Sequence, residues 1–212
     1  MTVVPCILCH SDKVSFLGTF AAIPYWKCGN CSSVFKDPSV FLDPETEKGR
    51  YLLHENDVED LNYQHFVSPI VQHVTKMFKK GATGLDFGAG TGPVISKLLS
   101  EKGYAMQLYD PFFHPEKQVL SRTYDFIVSC EVIEHFHRPL DEFKLLYEIM
   151  RPGGTLFCMT ELLPKQQSFE EWYYKNDPTH VIFYSEETLQ WIRTHLGFSG
   201  LKIDGRLSYF TK

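Results

Sequence analysis

The feature that most constrains this chain is the run Leu85-Asp86-Phe87-Gly88-Ala89-Gly90-Thr91-Gly92-Pro93. An apolar strand-like stretch ends in three glycines at alternate positions, and a proline stands where the first turn of a helix begins. Glycine lets the backbone turn sharply and approach a ligand that a Cβ would block. Strand, glycine turn and helix in succession belong to an open α/β sheet, in which ligands bind beyond the carboxyl ends of the strands.

Spacing narrows the ligand. A dinucleotide loop needs a glycine where Pro93 stands, and a phosphate-binding P-loop needs Gly-Lys-Ser/Thr, which does not follow Gly92. What remains is acidic-x-Gly-x-Gly-x-Gly, a loop suited to an adenosyl amino acid. Asp86 could meet an ammonium at the amino-acid end. Asp110, closing the next strand, could accept ribose hydroxyls, although an Asp before Pro111 is also a common turn cap.

The second constraint is cysteine usage. Cys6/Cys9 and Cys28/Cys31 form two C-x-x-C pairs, while Cys130 and Cys158 stand alone and read as small buried apolar side chains. Paired knuckles at this spacing predict a zinc ribbon with four thiolate ligands and no open coordination position, hence a structural Zn²⁺.

Residues 1–38 therefore read as a zinc module with short strands at 14–20 and 23–26. Residues 39–80 read as a connector, its acidic run 43–47 solvated, followed by a cap helix from Asp57 to Lys80. Residues 81–212 alternate strand and helix, with strands expected at 84–87, 104–109, 124–129 and 155–160 and helices at 93–102, 139–150 and 185–196. An antiparallel hairpin at 201–210 completes the sheet. The expected fold is α/β: a doubly wound Rossmann-like sheet preceded by a small zinc ribbon.

Composition excludes some partners. The net charge is −5 and the densest basic cluster is only Lys76, Lys79 and Lys80, so a large nucleic-acid footprint is not expected. No apolar run approaches the roughly 20 residues of a membrane span, and the first residues lack a signal-peptide pattern, which predicts a cytoplasmic protein. Oligomeric state is not legible.

LDFGAGTG at 85–92, YDP at 109–111, YDFIVSCEVIEHF at 124–136 and RPGGTL at 151–156 resemble the class I S-adenosylmethionine (SAM)-dependent methyltransferases. The likeness is greatest to enzymes of quinone biosynthesis. It implies a Rossmann-like methyltransferase domain with SAM held by Asp86, Gly88, Ala89, Gly90, Thr91, Gly92, Asp110, Pro111, Phe112, Cys130 and Glu131. In related enzymes the segment before the glycine loop caps the pocket, which adds Tyr51, His54 and Tyr63. Only residues 111–123 separate Asp110 from the next strand, shorter than the family's usual insert, so Phe112 and Phe113 could stack on the adenine or be core.

Methyl transfer to a hydroxyl or activated carbon of a small molecule needs a base. Candidates are His135, beside Glu134 at a strand's carboxyl end, and His180, in an aromatic-rich loop with Trp172, Tyr173 and Tyr174. Either histidine could equally be a packed, hydrogen-bonded residue. Two other readings remain open: an RNA methyltransferase that docks through its zinc ribbon, and a non-catalytic cofactor-binding module.

Overall fold

In the computed structural model, which describes residues 4–53 and 57–212, the chain forms two sheets and five α-helices. The larger sheet has six strands: β4 (Thr83–Phe87), β5 (Ala105–Tyr109), β6 (Tyr124–Cys130), β7 (Met150–Met159), β9 (Gly200–Asp204) and β10 (Leu207–Thr211). Their order is β5-β4-β6-β7-β10-β9. The first four are parallel, and β10 and β9 add as the antiparallel hairpin. Gly205, at φ +59°, makes the tight turn between them.

Both faces are covered, because the central strands are apolar on both sides. Phe126 and Val128 of β6 pack against Val67, Ile70 and Val74 of α2 (Leu61–Met77) and Ile95 and Leu99 of α3 (Val94–Glu101). Ile127, between them in sequence, points the other way. It joins Phe143 and Leu146 of α4 (Pro139–Glu148) and Leu189 and Ile192 of α5 (Glu186–Leu196). The period of two within one strand thus feeds two separate cores, each fully buried side chain contributing roughly 1.5–3 kcal/mol.

The smaller sheet is antiparallel and runs β1-β2-β3-β8, with β1 (Val14–Phe20), β2 (Ile23–Cys28), β3 (Val34–Lys36) and β8 (Ile182–Phe183). The cysteine turns lie at one end of it, and Cys6, Leu8, Trp26, Cys28, Cys31 and Phe35 share the core beneath α4 and α5.

Two local expectations change. Residues 44–51 of the connector form a helix, α1 (Pro44–Tyr51), and of the acidic run 43–47 only Glu47 is buried. Asp43 caps the helix by accepting from the backbone of Glu45 and Thr46, both at 3.0 Å, and Pro44 sits in its first turn. The cap helix starts later than Asp57, at Leu61, where Asp60 accepts from Asn62 N at 2.9 Å, and it ends at Met77. Between Asp110 and β6 the chain makes only a 3-10 turn at Lys117–Ser121, in keeping with the short insert. Among the described residues no helix is long and apolar enough to cross a membrane.

Candidate active site

β4 ends at Phe87, and the backbone then turns through Gly88 at φ +82° and Gly90 at φ +60°. Gly88 tolerates no side chain: a Cβ there would lie 2.4 Å from Val132 Cγ2. The loop is stapled to the end of β5, as Gly88 N and Ala89 N donate to Tyr109 O at 2.8 and 3.1 Å. Asp110 completes the staple. Its Oδ2 accepts from Gly90 N at 3.0 Å, and its Oδ1 accepts from Phe112 N and Phe113 N at 2.8 and 3.0 Å. Three of a carboxylate's roughly four acceptor positions are thus taken, which leaves one toward the cavity.

That cavity, of about 810 Å³, is lined by Gly88, Ala89, Gly90, Thr91, Asp110, Pro111, Phe112, Cys130, Glu131, Tyr51, Tyr63, His135 and His180 among others. The structure thus gathers most of the sequence-derived site residues around one space, of a size that suits a cofactor and a small acceptor. Asp86, Gly92 and Glu134 are not among its lining. Asp86 is buried behind the loop, where it accepts from Ser96 Oγ at 2.8 Å, and burial pushes its carboxyl up to about 6. His54 lies outside the described residues. Of the aromatic trio, Tyr173 and Tyr174 face the cavity, while Trp172 is buried in a separate cluster with Tyr25, Val34 and Phe183.

The wall formed by the carboxyl end of β6 carries the titratable groups. Glu131 adopts left-handed backbone at φ +53°, and Arg206 Nη2 donates to both of its carboxylate oxygens at 2.8 Å. Arg206 Nη1 also donates to Glu161 at 2.5 Å. Glu134 is fully buried; Tyr174 donates its hydroxyl to Glu134 Oε1, and the same hydroxyl lies 3.0 Å from Glu131 Oε2. Glu134 Oε2 has no partner among the described residues. Burial pushes both glutamates up to about 7, and for Glu131 the neighbouring Glu134 adds to the effect.

The two imidazoles are oriented by backbone. His180 Nδ1 lies 2.8 Å from Tyr174 O, and His135 Nδ1 lies 3.1 Å from Thr179 O. A carbonyl only accepts, so each Nδ1 carries the proton and each Nε2 is bare in the neutral ring. Burial lowers both from the usual histidine range, His180 to about 3 with help from neighbouring His135. Ligand-type atoms of Glu134, His135 and His180 lie within 4.8 Å of one another, a grouping able to hold a cation.

The four cysteines form a second constellation, with all their sulfurs within 4.8 Å of one another. Cys6 Sγ lies 3.6 Å from Cys31 Sγ, and Cys9 Sγ lies 3.5 Å from Cys28 Sγ. A tetrahedron with Zn–S bonds of about 2.3 Å has edges of about 3.7 Å, so the donor set fits one Zn²⁺.

Sequence reasoning missed Arg50 and Asp177, an ion pair on the cavity wall, and Arg206 and Glu161, which lie outside the lining and hold Glu131 through Arg206. Arg206 read only as a turn residue, and nothing local marks a partner 75 positions away.

The methyltransferase-domain family matches residues 60–203, more than half of the chain, and the chain belongs to it. Its class is that of the SAM-dependent methyltransferases. No curated protein matches the chain. Among solved structures it is similar to a SAM-dependent methyltransferase from Archaeoglobus fulgidus, at 18% identity and TM-score 0.56, over 70% of this chain and 94% of that one. An N-methyltransferase from Haemonchus contortus, solved with phosphomonomethylethanolamine and S-adenosylhomocysteine (SAH), matches at 14% identity and TM-score 0.57, over 81% and 48% of the two chains. An O-methyltransferase family protein from Burkholderia thailandensis matches at 11% and 0.54, over 78% and 61%. The chain thus spans about half to three-fifths of the length of the last two. At these identities the likeness is one of fold.

Proposed function

We propose that the protein moves a methyl group from SAM to a hydroxyl or activated carbon of a small molecule, with His135 as the proton acceptor. The glycine loop, with Gly88, Ala89, Gly90 and Thr91 on the cavity wall, would hold the nucleoside, and the free position on Asp110 would accept one ribose hydroxyl. Bound SAM supplies an electrophilic methyl group, so the chain's own work is to align, exclude water and take a proton. Pro111 and Phe112 would flank the adenine, and Tyr51 and Tyr63 would close over the pocket. Asp86 and Gly92 would shape the loop from behind.

One observation carries the choice of base: both histidines line the cavity with Nδ1–H committed to a carbonyl, but the bare Nε2 of His180 lies 3.9 Å from the fully buried Glu134, which leaves His135 for the acceptor. His180, lowered to about 3 by burial and by neighbouring His135, is too weak a base for this task. Glu134 stands behind His180, its Oε1 3.9 Å from Nε2. The four thiolates would hold a structural Zn²⁺ that takes no part in the reaction.

The test has two parts. Calorimetry with SAH should show binding to the wild type and none to Gly90→Val, with metal content unchanged; equal affinity removes the loop assignment. Radiolabelled methyl transfer to a small-molecule extract should fall on the order of 100-fold in His135→Gln with SAH affinity retained. A His135→Gln enzyme of full activity overturns the choice of base.

A further inference from the structure

The segment from Tyr174 to His180 orients both histidines yet has little regular structure of its own. Only a 3-10 turn at Tyr173–Asn176 interrupts it. Its carbonyls are consumed from two sides. Tyr174 O and Thr179 O accept from the His180 and His135 rings. Lys175 O accepts from Tyr25 Oη at 3.2 Å, and Asp177 O and Pro178 O accept from Lys36 Nζ at 2.9 and 3.0 Å. Tyr25 and Lys36 both belong to the cysteine-bearing sheet, on β2 and β3.

Lys36 stands out. It is 1% exposed, and burial pushes its ammonium down to about 8; among the described residues no carboxylate oxygen forms a salt bridge with its Nζ, and the Asp177 carboxylate offsets the burial only in part. An ammonium is costly to bury without a charged partner. Packing alone does not require it, since a methionine would fill similar space without a charge. What the ammonium does that methionine could not is donate to two successive carbonyls at once. Backbone pairing sets the height of the strut: Lys36 N donates to Val181 O at 2.9 Å, and Phe35 and Val34 register with Ile182 and Phe183 of β8. With the Asp177 and Pro178 carbonyls drawn toward Lys36, the next carbonyl, Thr179 O, is left to His135.

We infer that Lys36 is a positioning residue: its two hydrogen bonds to the 177–178 carbonyls fix the backbone that sets the orientation and tautomer of His135 and His180. The inference rests on the proposed base for its functional meaning, but its structural content does not. It gives the cysteine-bearing sheet a role in the active site, as the anchor of the histidine wall.

Long-range ¹H–¹⁵N NMR of imidazole nitrogens reads the tautomer directly and needs no substrate. In the wild type at neutral pH both rings should be Nδ1–H. In Lys36→Met the signals should shift to a tautomer mixture for at least one ring, while Lys36→Arg, which keeps charged donors, should retain the wild-type pattern. SAH affinity and metal content should stay unchanged in both. With an acceptor in hand, kcat of Lys36→Met should fall on the order of 100-fold at constant KM for SAM, the scale expected of a misplaced base. Wild-type tautomers in Lys36→Met would overturn the inference. So would an equal loss in Lys36→Arg, which would make the role one of packing, or a failure of both variants to fold. If the wild type binds no SAH but the tautomers behave as stated, the methyltransferase reading falls and this inference stands.

Discussion

Glu134 shows how a single side chain can be placed against its own chemistry. It is fully enclosed, one of its carboxylate oxygens has no partner among the described residues, and burial raises it to about 7 from the ordinary 4.5. A raised folded-state pKa means that the native protein binds this proton more tightly than the unfolded chain. The group therefore costs least below about pH 4.5, and the cost grows as pH rises through 7. Glu134→Gln should then be more stable than the wild type at pH 8, by roughly 1–3 kcal/mol, with the gap closing toward pH 5. Urea unfolding at the two pH values measures this; an equal offset at both would mean that the carboxyl is not strained by burial. The buried histidines work in the opposite sense. They are depressed, so the wild type should lose stability as pH falls below about 6.5, where only the unfolded chain takes up those protons.

At the scale of elements, α1 is the one that carries the most function for its length. In eight residues it brings Glu47, Arg50 and Tyr51 to the cavity, and Tyr51 donates to Glu47 at 2.7 Å. Its start depends on Asp43. Replacing Asp43 with alanine should cost about 0.5–2 kcal/mol of local helix stability, visible as faster hydrogen exchange in residues 46–51, with α2 unaffected. Equal protection in the variant would place the helix's support in packing instead. This helix was not legible because its apolar face is too poor to leave a period: it is held by a cap and a proline, not by a stripe. By contrast, the glycine loop, α5 with its Ser185 cap, and the β9–β10 hairpin were readable, since each carries its own local signal. β3 and β8 were not, because strands of three and two residues exist only through the pairing that joins them.

The whole molecule is organised by one segment, residues 172–183, that belongs to both halves. It supplies Tyr174 and His180 to the cavity and β8 to the cysteine-bearing sheet. The candidate site was half legible for this reason. Residues adjacent to strand ends, such as Gly90, Asp110 and His135, announce themselves in sequence, whereas Lys36 and Arg206 act across the fold. If four thiolates hold Zn²⁺, chelation should do more than unravel the first 38 residues. Cys6, Cys28 and Cys31 share a core with Phe143 and Leu189, so the melting temperature of the whole chain should drop along with loss of near-ultraviolet aromatic signal. Stoichiometric zinc removal with an unchanged melting temperature would show that the two parts fold independently.

β8 adds a practical consequence. Because Ile182 and Phe183 close the outer edge of β3, a chain trimmed of its first forty residues would not be a leaner catalyst. It would bare Trp172, Phe183 and the neighbouring aromatics to water along an unpaired strand, a surface made for sticking to its own copies.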